Sequence, residues 1–259
     1  MRYVKLDKVG STNSYLLSVA QELQGGTVVY TPCQTAGRGQ KGNRWLAEPG
    51  MNATFSYLFK PTGIIAREQF CISEAAALAV AQVLTELSGE RITVKWPNDI
   101  YHGDRKICGM LIENSLDGRI VAHSVIGIGI NVNQRVFDPY APNPTSLALL
   151  TGTEHDADQV MHLVCERLER HLAILADRGT QALHTDYLSV LYRHDGQPYT
   201  FALPDGTTFA ATIVDVAPDG MLALRHANDG AVRHYAFKEV IWSPVPLNPP
   251  EGGLKRSHI

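Results

Sequence analysis

Apolar and polar positions follow two periods along the chain, and the switches between them mark its elements. "NATFSYLFK" (52–60) alternates residue by residue, the pattern of a half-buried strand, and "TVVYTPCQ" (27–34) reads as another strand leading into a loop. "GSTNSYLLSVAQEL" (10–23) follows the helical period instead. Ser11 or Thr12 can accept from the first free N–H groups, and Tyr15, Leu16, Val19 and Leu23 fall on one face. "REQFCISEAAALAVAQVLTEL" (67–87) is alanine-rich and apolar on most sides, which predicts a buried helix. Three strand-like pieces come next, "ITVKW", "KICGMLIE" and "AHSVIGIGINV", the first stopped by Pro97. Residues 157–177 and 180–192 then predict two amphipathic helices.

After about residue 192 the texture changes. "PDG" at 204–206, "PDG" at 218–220 and "NDG" at 228–230 are turn signals separated by runs such as "ATIVDV" and "MLALR". This spacing predicts a small all-β unit of about five strands, a barrel or half-barrel. The expected organisation is an α+β domain over 1–190 with a mixed or antiparallel sheet, a β domain over 191–245 and a loose, proline-rich tail over 246–259. The regular strand–helix alternation of a doubly wound parallel sheet is missing.

Composition narrows the class. The chain has 259 residues, 44% hydrophobic and 19% charged, with a net charge of −3 and a pI of about 6.4. That is an ordinary globular balance with no global basic field for nucleic acid or an anionic membrane, so any anion site must be local. Cys33, Cys71, Cys108 and Cys165 form no CxxC pair, and "MRYVKLDKVG" lacks the apolar core of a secretion signal. A cytoplasmic protein with reduced thiols and no membrane segment is expected.

Three stretches carry candidate chemistry. "TAGRGQKGNRW" (35–45) places Gly37, Gly39 and Gly42 among Arg38, Lys41 and Arg44, a backbone able to approach an anion closely with cations beside it. It matches neither a Walker A loop nor the dinucleotide fingerprint, and a solvated loop with glycines at its turns would have the same composition. "VKWPNDIYHGDRKICGM" (94–110) reads as a hairpin with Asn98 and Asp99 at its turn, bringing Asp99 and Lys106 to one end of a sheet. "GIGINVN" (127–133) alternates glycine with isoleucine inside a strand, which calls for a close approach to the backbone by a slender ligand or by a helix. His155, Asp156, Asp158 and His162 match no strong metal pattern and read as a solvated helix start.

In order and wording, "GSTN", "QTAGRGQKGNRW", "KWPND", "RKICGMLIE" and "GIGINVN" resemble the biotin protein ligases over roughly residues 5–245. That resemblance implies a class II synthetase-like catalytic domain followed by a small SH3-like β-barrel domain. It implies activation of biotin with ATP and Mg²⁺ to biotinyl-5′-adenylate, then transfer to a lysine of a biotin carboxyl carrier domain, with an acetyl-CoA carboxylase as the natural acceptor. It assigns catalytic roles to Arg38, Lys106 and Asp99. Biotin falls to Ser11, Thr12, Asn13, Gln34, Gly37, Arg38, Gly39, Lys106, Gly109, Gly127 and Gly129. The nucleotide falls to Arg38, Gly39, Arg44, Trp45, Asn98, Lys106 and Asn131, with Mg²⁺ arriving on ATP and no protein ligand set named for it. Gln40 stands where relatives often carry arginine, which removes a charge from the loop. Lipoate ligases share the fold and the activated-acyl logic, whereas the "GRGQKGNRW" and "KWPND" pairing favours biotin. Some relatives carry an added helix-turn-helix and act as repressors. Here the motifs begin at residue 10, so no DNA partner is expected, and homodimerisation by sheet-edge pairing remains open.

Overall fold

The computed structural model describes residues 1–139, 141 and 143–242, and the expected tail over 246–259 lies outside them. The chain divides into two compact units after Tyr192.

The first unit is built on a seven-stranded sheet. In chain order its elements are β1 (Arg2–Lys5), α1 (Thr12–Val19), β2 (Thr27–Tyr30), β3 (Ala53–Phe59), α2 (Phe70–Ser88), β4 (Ile92–Lys95), β5 (Asp99–His102), β6 (Arg105–Asp117), β7 (Ile120–Ile130), α3 (Leu147–Thr151), α4 (Ala157–Arg178) and α5 (His184–Ser189). The strand order is β1-β2-β3-β7-β6-β5-β4. Only β1 and β2 run parallel, and every other neighbouring pair is antiparallel, which makes the sheet mixed. The strands β1 and β5, four residues each, were not singled out in the sequence.

Local chemistry sets the helix ends. Ser11 caps α1, its hydroxyl accepting from Ser14 N–H, and Asp156 Oδ1 caps α4 by accepting from Asp158 N–H at 2.9 Å and Gln159 N–H at 3.1 Å. Asp156 is thereby a cap rather than a ligand. Gly89 ends α2 in the left-handed conformation with φ +70°, its N–H bonded to Thr85 O at 2.9 Å. The buried character expected of α2 is observed. Residues 66–88 are long and apolar enough to cross a bilayer by composition, yet 72% of their most apolar 18-residue window is buried within the protein. One expected helix is shorter than the sequence implied. The segment 180–192 is helical only over His184–Ser189, because 180–183 form turns and Val190 and Tyr192 are hydrogen-bonded to the edge of β4. Tyr15, expected on the buried face of α1, is exposed.

The second unit is a five-stranded antiparallel sheet of β8 (Tyr199–Ala202), β9 (Thr208–Val216), β10 (Leu222–His226), β11 (Val232–Tyr235) and β12 (Ile241–Trp242), ordered β11-β10-β9-β8-β12. Each Asp-Gly signal forms a hairpin turn closed by its own aspartate: Asp205 accepts from Thr207 N–H, Asp219 from Met221 N–H and Asp229 from Ala231 N–H, at 2.9–3.1 Å. Phe201, Ile213, Leu222 and Leu224 are buried in this unit, and Trp242 is half-buried against Phe201.

Candidate functional site

Strand register assembles the candidate site from the sequence motifs. Thr54, Gly129, Gly109 and Asp99 are successive partners across β3, β7, β6 and β5. Ser56, Gly127 and Leu111 form the next row, and Leu58, Val125 and Glu113 the one after. Alternate residues of a strand point to opposite faces, so these rows share one face. Tyr57 and its neighbours share the other, where Tyr57 meets Glu169 of α4. On the glycine face α1 packs through Leu16 and Ala20 onto Val29, Leu58 and Val125.

That packing leaves the helix N-terminus over Gly127. A Cβ at Gly127 would lie 2.0 Å from Asn13 Oδ1, and a Cβ at Gly129 would lie 2.5 Å from the Trp45 indole. The close approach that the glycines announce is therefore made by side chains of the protein itself. Gly109 completes this floor, its Cβ position 3.0 Å from the Trp45 ring and 3.2 Å from Lys106 Cε.

At one end of the floor lies an uncharged polar cluster. Thr12 N–H donates to Gln34 Oε1 at 2.9 Å, and Ser56 Oγ lies 2.8 Å from Thr12 Oγ1 and 2.5 Å from Asn13 Oδ1. Asn13 Nδ2 donates to Leu111 O and to Glu113 Oε2, both at 3.0 Å. At the other end Lys106 Nζ pairs with Asp99 Oδ1 at 2.7 Å and stands 5.8 Å from the Trp45 ring centroid. From Glu113 back to Gly109 is four residues along β6, about 13 Å at ~3.3 Å per residue. The site thus offers uncharged hydrogen-bonding groups at one end and a lysine held by an aspartate at the other.

The glycine-rich stretch is an ordered hairpin over this floor. Gly39 N–H bonds to Asn43 O at 2.7 Å and Trp45 N–H to Gly37 O at 3.1 Å. Gly37 is buried so tightly that a Cβ there would meet Trp45 O at 2.3 Å. Arg38 reaches down to form a bidentate pair with Glu113, at 3.0 and 2.6 Å. Between hairpin and sheet lies a cavity of about 470 Å³, lined by Gly37, Arg38, Asn43, Arg44, Leu111 and Glu113 among others. Trp45 Nε1 is buried without a hydrogen-bond partner.

Not every residue singled out from the sequence arrives here. Asn131 is buried beyond the floor, its amide donating to Thr145 O at 2.9 Å. Asn98 Nδ2 is bonded to Met110 O, which fastens the turn before β5. Asp99 opens β5 at the mouth of that turn, as expected. Ser11 serves as a helix cap, whereas Arg44, though exposed on the hairpin, does line the cavity. Two residues were overlooked. Ser56 was legible as a serine on an otherwise apolar strand, and Glu113 as a carboxylate ending an apolar one. Cys108 is fully buried under the floor, and burial pushes its thiol up, as it does for Cys71 and Cys165, so packing is their role.

Known proteins resemble this chain in sequence and in fold. Residues 6–131 match the biotin/lipoate A/B protein ligase family. The biotin–[acetyl-CoA-carboxylase] ligase of Paracoccus denitrificans is 30% identical over 188 residues, 71% of this chain and 78% of that protein. The bifunctional ligase/repressor BirA of Escherichia coli K12 is 31% identical over 179 residues, 67% of this chain and 54% of its own length, so the chain spans about half of that relative. Among solved structures, the biotin protein ligase of Aquifex aeolicus in complex with biotin and ATP superposes with a TM-score of 0.76 at 23% identity, covering 93% of this chain and 97% of that one.

Proposed function

This chain belongs to the biotin/lipoate A/B protein ligase family, and on that premise we propose that it is a biotin–protein ligase. It joins the biotin carboxylate to the α-phosphate of ATP, releasing pyrophosphate. It then passes the biotinyl group to the ε-amine of a lysine on a biotin carboxyl carrier domain, releasing AMP. An acetyl-CoA carboxylase carrier is the proposed acceptor.

The observation that carries the reading is the polarity of the glycine floor. A neutral polar cluster at Thr12, Asn13, Gln34 and Ser56 suits an uncharged cyclic urea, and Lys106 at the far end suits the carboxylate on its tail. Trp45 lies on Gly109 and Gly129 between the two ends, and its orphaned Nε1–H is a donor that an acceptor would satisfy. Two anions that repel must meet at the Lys106 end. Lys106 neutralises charge there, and Arg38 brings a second cation on the hairpin. The pairing of Lys106 with Asp99 at 2.7 Å aims the ammonium. Once the substrate anions take Lys106, Asp99 is released to orient the incoming lysine amine and receive its proton. The hairpin excludes the water that would hydrolyse the mixed anhydride.

Mg²⁺ fits this site as a passenger on the triphosphate. Among the described residues no three His, Cys, Asp or Glu side chains gather as a metal site, and the carboxylates of Asp99 and Glu113 are held by Lys106 and Arg38. Such an ion supplies charge neutralisation on the phosphates.

The test is pyrophosphate release by the purified protein. Release is expected only when biotin, ATP and Mg²⁺ are present together, and release independent of biotin would overturn the reading. Thermal stabilisation by biotin and not by lipoate separates it from lipoate ligation. Single-turnover transfer from preformed adenylate tests Asp99: Asp99→Ala is expected to slow it, and an unchanged rate removes Asp99 from the transfer step.

A further inference from the structure

The row of residues that carries Gly129, Gly109 and Asp99 runs one strand further. Lys95 of β4 is the cross-strand partner of Asp99, so its side chain leaves the same face of the sheet. Directly opposed side chains of an antiparallel pair start about 5 Å apart. Lys95 Nζ stands 4.6 Å from the Tyr101 ring centroid and 5.9 Å from that of Tyr192, and it donates to Tyr101 Oη at 3.3 Å. Tyr101 is buried, and burial, followed by the charges of Asp99 and Asp104 and by Tyr192, raises its phenol above the ordinary range. Asp99 therefore lies between two lysines, Lys106 on the β6 side and Lys95 on the β4 side. The reaction scheme above uses only the first.

We propose that Lys95 acts on the transfer step from one strand away, its ammonium driving the proton off the acceptor lysine that Asp99 receives. This inference rests on the ligase reading. A free lysine amine keeps its proton up to about pH 10.4, so at pH 7 only about one in 2,500 is the neutral nucleophile. A carboxylate alone makes this worse, because Asp99 attracts the ammonium form and holds its proton on. A neighbouring cation has the opposite effect, and it is one of the ways by which lysines are made nucleophilic. Lys106 is taken by the substrate anions, whose charge it offsets, which leaves Lys95 to act on the amine. Asp104, bonded to the Tyr192 hydroxyl, opposes it from the turn before β6. The rings of Tyr101 and Tyr192 hold the ammonium by cation–π attraction and so fix where its charge stands. The first proton of the acceptor ammonium leaves to water. The neutral nitrogen then bonds to the biotinyl carbonyl carbon, AMP departs with the electron pair of the broken C–O bond, and the surplus proton on nitrogen passes to Asp99.

Lys95→Gln tests this in single-turnover transfer from preformed biotinyl-adenylate to the apo carrier domain of an acetyl-CoA carboxylase, followed across pH. Removing the charge raises the proton affinity of the amine, so the rise of rate with pH is expected to move up by roughly 0.5–1 pH unit, and transfer at pH 7 to fall about three- to tenfold. Hydroxylamine, a nucleophile already neutral at pH 7, replaces the carrier as the control, and its attack on the same adenylate is expected to keep the wild-type pH dependence. Lys95→Arg keeps the charge and is expected to keep the wild-type profile with the carrier. An unshifted carrier profile in Lys95→Gln, an equal shift with hydroxylamine, or a Lys95→Arg profile matching that of Lys95→Gln would each overturn the proposal. Should Lys95→Gln not fold, Lys95→Met, which keeps an unbranched stem against the two rings, takes its place in the same comparison. Failure of the wild-type protein to make biotin-dependent adenylate would overturn the ligase reading and this inference together, whereas adenylate with an unshifted profile overturns this inference alone.

Discussion

The strand β7 presents Ile126, Ile128 and Ile130 to one side of the sheet and Val125, Gly127 and Gly129 to the other. β3 does the same with Phe55 and Tyr57 against Thr54 and Ser56. On the first side lies a close-packed aliphatic layer whose energy comes from burial, at roughly 1.5–3 kcal/mol for each large side chain. On the second side the strands keep that burial only where Leu58 and Val125 meet Leu16 and Ala20 of α1, and give it up beyond. Glycines and short polar residues leave room for Asn13, Trp45 and the hairpin, and the contacts there are hydrogen bonds and ion pairs that a ligand can exchange. Period-two alternation lets one strand serve both tasks, because stability is drawn from one face and recognition from the other. It also predicts that damage should sort by face.

Substitutions test that sorting. The largest effect is expected on the packed side. Phe55 is fully buried, and Phe55→Ala should cost about 3–5 kcal/mol of stability in a denaturant titration, with KM for biotin unchanged in the folded fraction. A cost under about 1 kcal/mol would mean that the division of labour is drawn wrongly. Next comes Lys106→Ala on the open side, expected to slow adenylate formation by about 2–4 kcal/mol, roughly 30- to 1000-fold, while the melting temperature stays put. Near-normal adenylate synthesis would remove Lys106 from the chemistry. Gly127→Ala should lie between the two behaviours, since its Cβ would lie 2.0 Å from Asn13 Oδ1. Displacing Asn13 is expected to cost about 1–3 kcal/mol and to show as weaker biotin binding in calorimetry.

The smallest effect is a pH dependence from the packed side. His171 of α4 is buried with Nδ1 3.1 Å from Ala75 O; burial, aided by Arg167, lowers its pKa below the ordinary 6.5, against the opposing pull of that hydrogen bond and of Asp186. The unfolded chain then binds more protons than the folded one once pH drops below 6.5. The associated stability is present above that value and is lost as pH falls toward the lower folded pKa. His171→Gln should flatten the decline in melting temperature over that window, and an equal slope in both proteins would show that His171 does not carry it.

Much of this was legible before any coordinates. Local rules leave local marks. Ser11 before an apolar-periodic run, the alanine-rich stretch of α2 and the three Asp-Gly turns of the second unit each specify their own backbone within a few residues. Each formed as its residues dictate. The hairpin read over 94–110 also placed Asp99 and Lys106 at one end of a sheet, and they pair there. Where reading failed, the deciding partner was distant in sequence. The strands β1 and β5 exist because neighbouring strands pair with them, and 180–183 left the helical path before the chain returned to the edge of β4.

The amino-acid sequence by itself determined the element types, the alternation that separates a packed face from an open one, and the family. Only the tertiary structure decided what fills the open face. That Gly127 accommodates Asn13, that Gly129 lies under Trp45, that Arg38 rests on Glu113 and that Asn131 turns away to Thr145 depend on register between strands and on where α1 and the hairpin settle. The physical reason is range: propensity and capping act over a few residues, whereas contacts between positions 38 and 113, or 13 and 127, exist only once the sheet has fixed its neighbours.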